Sequence, residues 1–150
     1  MRNATPSLIH EKIFFEYEDQ EGNPGTESMW AINRGDNEFC VGNIPFYVSG
    51  YALGDLVLVE HRDGVPYVKS LVEESGNSTI QIIFFDIKHV AWARTYLNNF
   101  NCESEISEHP TYISVNIPYN VDYSFIKGYL KKGEAEGKWS YKEACLAHKI

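Results

Sequence analysis

The sequence predicts an α+β fold: an N-terminal small antiparallel β-sheet or barrel, followed by a β-α-β-α(-β) layer with two helices on one face. Three observations predict it. In the first half, short apolar stretches alternate with turn residues about every ten positions, a pattern typical of a small curled sheet or barrel. From residue 88 onward, two segments carry apolar residues at the spacing of an amphipathic helix. The most continuous apolar run of the chain, at 80–85, separates these halves.

The length of 150 residues predicts a single domain over 1–150, with a β-rich part at about 9–77 and an α+β part at about 78–146. Hydrophobic residues make up 43% of the chain and aromatic residues 14%, which is typical of a globular protein. This composition argues against general disorder.

The first strand is predicted at 9–17, where Ile13, Phe15 and Tyr17 lie on one alternating face. A loop rich in glycine, asparagine and proline is predicted at 19–28. The other strands of this half are predicted at 29–32, 38–41, 56–60 and 66–72. The last two are joined by an Asp-Gly pair, which is typical of a tight hairpin turn.

A polar turn at 75–78 leads into the apolar run at 80–85, which only Gln81 interrupts. Glycine tolerates positive φ, and serine and asparagine side chains bond nearby backbone amides, so the turn chemistry is favourable. The run is too short for an ordinary buried helix. Its isoleucine and phenylalanine content indicates a strand covered on both faces.

The second half is predicted to contain two helices, a further strand and a closing segment. The first helix spans 88–100 with Asp86 as its N-cap, and the second begins after Asp122. A polar connection at 101–110 leads from the first helix into a strand at 111–117. The closing segment at 139–146 is a final strand or a packed tail.

The formal net charge of −8 disfavours binding to phosphate backbones, because nucleic-acid binders gather lysine and arginine on one face. An acidic surface serves solubility, or it attracts a basic partner. Both interpretations remain open.

The three cysteines stand at wide spacings, which fits a reducing compartment better than a disulfide framework. The first residues contain no apolar run typical of a signal peptide, and no run approaches the length of a membrane span. We therefore expect a cytoplasmic protein.

The five histidines are dispersed, without the spacing of a zinc site, so neither a metal nor another cofactor is predicted. Cys102 and His109 could form a nucleophile and base only if folding joined them, and a buried or idle thiol is favoured. No catalytic residue is assigned from the sequence.

An alternative site is the polar turn, where hydroxyl, amide and backbone N–H groups could hold an anion or a small polar ligand. A small-ligand-binding protein or enzyme would use it, although stabilisation of the turn is the favoured interpretation. The residues of this alternative site are Asp55, Ser75, Gly76, Asn77, Ser78 and Thr79.

Three short motifs stand at 43–46, 54–57 and 75–80, reading Asn-Ile-Pro-Phe, Gly-Asp-Leu-Val and Ser-Gly-Asn-Ser-Thr-Ile. In this order and spacing, the chain from about 13 to 143 resembles the bacterial family catalogued as domain of unknown function 4265. The resemblance implies no particular activity.

In size, charge and the absence of a catalytic constellation the chain is similar to small acidic bacterial proteins that protect a cell from a secreted toxin, for example in contact-dependent inhibition. This analogy of class suggests a non-catalytic immunity protein that covers a basic toxin with carboxylates and aromatic anchors. The carboxylates expected on that face are Glu16, Glu18, Asp36, Glu38, Glu73 and Glu74. A regulatory module that dimerises through an exposed strand is a further alternative, so the choice between monomer and homodimer stays open.

Overall fold

The computed structural model describes residues 10–149. The first residues, where the sequence predicts no signal peptide, lie outside this range. The structure contains a closed five-stranded barrel and a four-stranded sheet with two helices, so the predicted α+β class is confirmed. The elements are β1 His10–Glu18, β2 Pro24–Gly35, β3 Glu38–Val41, β4 Leu56–Arg62, β5 Val65–Glu73, β6 Ser78–Phe84, α1 Lys88–Asn98, β7 Ser104–Ile106, β8 Tyr112–Ile117, α2 Tyr123–Ala135 and β9 Trp139–Cys145.

The barrel is an antiparallel meander of β1 to β5 that closes through a short parallel pairing of Phe14 with Tyr67. Alternate apolar side chains fill its interior, as expected for strands with one buried face. The predicted Asp-Gly turn joins β4 to β5, with φ of 54° at Asp63 and 80° at Gly64. Two successive positive φ values match the twist of a two-residue hairpin.

The predicted loop at 19–28 is wrong in its second half, because β2 begins at Pro24. Pro24 pairs with Glu18, and Ser28 pairs with Phe14. A proline is tolerated as the first residue of a strand. The hairpin turn is held by the Asp19 carboxylate, which accepts the N–H groups of Glu21 and Asn23.

The second half has strand order β7-β8-β6-β9 with antiparallel neighbours. Its element order is β-α-β-β-α-β, one strand more than the predicted layer. The additional strand, β7, has only three residues and lies in the predicted polar connection, so it carries no periodic signal. Both helices contribute to one core together with β6, β8 and β9.

The two predicted helix starts have different outcomes. Asp122 is confirmed as the N-cap of α2, because its carboxylate accepts the Ser124 N–H at 3.0 Å. The Asp86 prediction is wrong by one position, since Ile87 occupies the N-cap of α1. The Asp86 carboxylate still accepts the Lys88 N–H at 3.0 Å, so it stabilises the first turn from outside the helix.

The loop between β3 and β4, residues 42–55, is the connecting loop that joins the barrel to the sheet. Its carbonyl groups accept hydrogen bonds from polar side chains on the sheet face opposite the helices: Thr79 to Tyr51, Gln81 to Pro45, Ser114 to Ile44 and Tyr112 to Phe46. These polar residues occupy positions that an ordinary core strand fills with apolar ones. The contact between barrel and sheet therefore contains four hydrogen bonds from side chains to loop carbonyls.

Glu27 anchors the connecting loop from the barrel side. It is 8% exposed, and its carboxylate accepts the backbone N–H groups of Phe46, Tyr47 and Val48 at 2.7, 3.0 and 2.9 Å. A buried carboxylate with three N–H partners is well satisfied without a cation. The loop conformation therefore depends on one side chain of β2.

The prediction that the apolar run at 80–85 is covered on both faces is wrong on one side. Ile80 and Ile82 are buried under the helices, but Ile83 is 51% exposed. The connecting loop covers the opposite face at Thr79 and Gln81 and leaves Ile83 uncovered.

Within residues 10–149, no helix is both long and apolar enough to span a membrane.

Candidate functional site

A cleft of about 910 Å³ lies between the tip of the β1–β2 hairpin and the uncovered part of the sheet. We call it the tyrosine cleft. The residues that define it are Tyr17, Tyr47, Gln81, Ile83, Tyr112 and Lys142.

The floor of the tyrosine cleft is formed by β6 and β9. In their antiparallel register Gln81 lies opposite Lys142 and Ile83 lies opposite Ser140, and opposite residues share one face of a sheet. The walls come from the hairpin tip, from the connecting loop and from the start of β8. The cleft therefore forms only where the β1–β2 hairpin of the barrel lies next to the exposed part of the sheet.

Three tyrosine rings form a stacked row along the wall. The centroids of Tyr17 and Tyr47 are 5.9 Å apart with an interplanar angle of 17°, and those of Tyr47 and Tyr112 are 5.7 Å apart at 30°. The Tyr112 hydroxyl donates to the Phe46 carbonyl, which fixes the last ring. All three tyrosines are half-buried, and all three line the cleft.

The position of Tyr17 requires glycine at position 25 of β2. A Cβ at Gly25 would lie 2.5 Å from Tyr17 Cζ, far inside contact distance. Any larger residue there would displace the ring.

Carboxylates surround the row of tyrosines. Burial raises the pKa of all three hydroxyls, and the negative charge of Glu27 adds to the rise in each. Glu108 raises the pKa of Tyr47 further, and Asp19 raises that of Tyr17. The hydroxyls are therefore neutral near pH 7, and the cleft has a negative local charge.

The structure does not bring the six carboxylates of the expected partner-binding face together. Glu18 lines the tyrosine cleft. Glu16 is paired with Arg62 at 2.6 Å on the outside of the barrel. Glu73 and Glu74 line a separate cavity of about 420 Å³.

The remaining two carboxylates lie at the β2–β3 connection. Asp36 is an exposed turn residue with φ of 56°, and Glu38 begins β3. Neither lines the tyrosine cleft.

The residues of the alternative site do meet, but the protein itself uses their polar groups. Asp55 is 2% exposed, and its carboxylate accepts the Ser75 N–H, the Ser75 hydroxyl and the Ala52 N–H, each at 2.9 Å. The Asn77 side chain donates to the Leu53 carbonyl at 2.8 Å and accepts the Tyr119 N–H at 2.9 Å. These bonds tie the connecting loop to the start of β6.

Gly76 has φ of 90°, a conformation that favours glycine, and it packs against Tyr119. The Thr79 hydroxyl donates to the Tyr51 carbonyl at 3.0 Å. The site therefore offers a ligand few free groups.

Ser78 and His148 have the spacing of a nucleophile and its base, with Ser78 Oγ 2.6 Å from His148 Nδ1. However, Ser78 is fully buried, and its Oγ also accepts the N–H groups of Ala147 and His148. The pair fastens the end of the described chain to β6, and no substrate can reach it in this conformation.

Cys102 and His109 lie in different places. Cys102 is buried in the core of the α+β half, where burial raises the pKa of its thiol to about 11, whereas His109 lines the tyrosine cleft. Within the described range 10–149, no group of three or more histidine, cysteine, aspartate or glutamate side chains is placed to hold a metal ion.

We expect Asp55→Asn to destabilise the protein by about 1–2 kcal/mol, because the new amide would turn a donor towards backbone N–H groups. Urea unfolding measures the change. Asp36→Asn is the control, since an exposed turn residue with positive φ accepts asparagine readily. Equal stability of the two variants would contradict a structural role for Asp55.

Most of the tyrosine cleft has no signal in the sequence. The sequence pattern places Tyr17 on the same face of the first strand as Ile13 and Phe15, and it places Glu27 in a loop. One signal was present: Gln81 interrupts an apolar run, and a polar residue inside a core strand marks either a polar contact or a site.

Two comparisons relate the chain to known proteins. The sequence profile described as Domain of unknown function (DUF4265) matches residues 27–141, which include the connecting loop but not β1. The structure is similar to one described as "Novel crystal structure of a hypothetical protein from Neisseria gonorrhoeae", with a TM-score of 0.82 and 28% identity. The similarity covers 94% of this chain and 98% of that one. No curated protein matches the sequence.

Proposed function

We propose a function for this chain, which belongs to the family described as Domain of unknown function (DUF4265). It is a non-catalytic protein that binds a basic protein partner at the tyrosine cleft. The observation that carries the proposal is the row of three stacked tyrosines facing carboxylates in a cavity of about 910 Å³. Nothing in the family's description names a partner.

The tyrosines supply the kind of contact that dominates protein interfaces. Tyrosine is enriched among the few residues that carry most of the binding energy, because a rigid amphipathic ring buries a large area at low entropic cost. In the cleft the rings are already held by stacking and by the Tyr112 hydrogen bond. A partner therefore has little ordering cost to overcome there.

The net charge of −8 supports a basic partner, because an acidic field speeds the encounter with a positively charged surface. Glu18 would act at the cleft itself. The carboxylates outside it would contribute to the long-range field: Glu16, Asp36, Glu38, Glu73 and Glu74. Salt screens such a field, so association should slow as the ionic strength rises.

A toxin that this chain neutralises in the cytoplasm is the partner suggested by the sequence, and the immunity role remains part of the proposal. The alternative of a small ligand at the polar turn is less favoured, because Asp55, Ser75 and Asn77 are already bonded to the protein.

The test is a tagged pull-down from the native cell, including the product of the neighbouring reading frame, with affinities measured at two salt concentrations. Tyr47→Ala should weaken the complex about 30-fold, the loss of a typical interface hot spot. Trp92→Ala is the matched control, because Trp92 is 77% exposed on α1 and lies outside the cleft.

Thermal unfolding of both variants separates lost contacts from lost stability. The proposal fails if no basic protein is recovered, or if the Trp92 variant loses as much affinity as the Tyr47 variant.

A further inference from the structure

We propose that the tyrosine cleft receives the guanidinium group of an arginine side chain on the partner protein, an inference that rests on the proposed binding function. The cleft would then be an arginine site within the larger interface. Charge, ring geometry and the floor of the cleft each support this occupant.

The charges around the cleft favour a cation. Glu18 and Asp19 line it, and Glu27 and Glu108 lie close enough to the tyrosine hydroxyls to act on them. Lys142 lines the cleft from β9, opposite in charge to these four carboxylates. The balance of these charges is negative.

The tyrosine row favours a planar cation. A guanidinium stacks flat on an aromatic face while its N–H groups donate sideways to carboxylates, which an ammonium cannot do to the same extent. The protein already contains one such contact outside the cleft, where the Arg62 guanidinium carbon lies 3.7 Å from the centroid of Tyr67 and an Arg62 nitrogen lies 2.6 Å from Glu16. The cleft is lined by the same two kinds of partner, tyrosine rings and carboxylates, and no arginine is among its lining residues.

The floor of the cleft suits the rest of an arginine side chain. Ile83 is 51% exposed and would cover the methylene stem. Gln81 is 5% exposed, and its Nε2 donates to the Pro45 carbonyl. Its Oε1 accepts no hydrogen bond from any described residue, so it is an acceptor available to a guanidinium N–H.

The probe is the tripeptide acetyl-Gly-Arg-Gly-amide, added to the isotope-labelled full chain and followed by nuclear magnetic resonance. The comparison peptide carries citrulline, which has the same shape without the charge. We expect the shifts to map to Tyr17, Tyr47 and the Gln81 amide, and the citrulline peptide to bind at least about tenfold more weakly. Equal binding of the two peptides, or shifts confined to other surfaces, would overturn the inference.

A pair of double variants separates a local site from the general field. Glu18→Gln with Glu108→Gln removes two charges at the cleft, and Glu73→Gln with Glu74→Gln removes two at the separate cavity. Only the cleft variant should lose arginine binding, by about tenfold. An equal loss in both variants would mean that the peptide senses net charge alone, which also overturns the inference.

The two proposals can fail separately. If the tripeptide binds in the cleft but no basic protein is recovered from cells, the arginine site stands and the proposed function is lost. If a basic partner is recovered and the tripeptide causes no shifts at the cleft, the arginine site is refuted and the proposed function stands.

Discussion

Replacing Glu27 by alanine is expected to lower the free energy of unfolding by about 3–5 kcal/mol, the largest effect we predict for a polar residue. The Glu27 carboxylate accepts three backbone N–H groups of the connecting loop. Alanine leaves those donors without their partner, and each unsatisfied buried donor costs about 1–3 kcal/mol. Partial entry of water keeps the total below the simple sum.

Urea unfolding measures this change, and the resonances of Tyr47 and Tyr112 report on the cleft. The variant should lose the stacked row even where it remains folded, because Tyr47 belongs to the released loop. Glu16→Ala is the control: it removes an exposed ion pair with Arg62 and should cost under about 1 kcal/mol. A Glu27 variant as stable as this control would refute the anchoring role.

Gly133→Ala is expected to destabilise the protein by about 2–3 kcal/mol, although alanine is normally the better helix former. Gly133 is a buried residue of α2, and a Cβ there would lie 1.9 Å from Trp139 Cζ2. The indole cannot easily move, because Trp139 is 3% exposed and its N–H donates to the Leu130 carbonyl at 2.9 Å. The helix must therefore shift away from β9.

Gly128→Ala is the matched control on the same helix. A Cβ at Gly128 meets nothing within 4 Å, so the change should stabilise the protein by about 0.5–1 kcal/mol through helix propensity alone. Thermal unfolding followed by circular dichroism gives the sign of each effect. If both substitutions stabilise the protein, the inference that Gly133 packs tightly against Trp139 is contradicted.

The sequence predicted best where local chemistry decides the conformation. Alternating apolar residues predicted the strands of the barrel, Asp63 and Gly64 predicted the hairpin turn, and Asp122 predicted the start of α2. Each of these depends on residues a few positions apart. The displaced N-cap at Ile87 shows the limit of such signals, because Asp86 stabilises the same helix turn from one residue further away.

The candidate site was hardly visible in the sequence. Its residues come from β1, the connecting loop, β6, β8 and β9, so no spacing along the chain joins them. Glu27 resembled a loop residue, yet it lies on the same side of β2 as the core residues Met29 and Ala31. Its partners lie about twenty residues away, and only folding shows that they are backbone N–H groups.

The sequence alone therefore determined the α+β class, the strands of the barrel and the two helices, because hydrophobic periodicity and capping act over a few residues. Only the tertiary structure decided what the polar residues do. In the folded protein the connecting loop is held by Asp55, Ser75 and Asn77, and the Ile83 side chain is exposed beside a row of tyrosines. The physical reason is that a buried polar group must find a partner, and that partner is set by which segments meet in space.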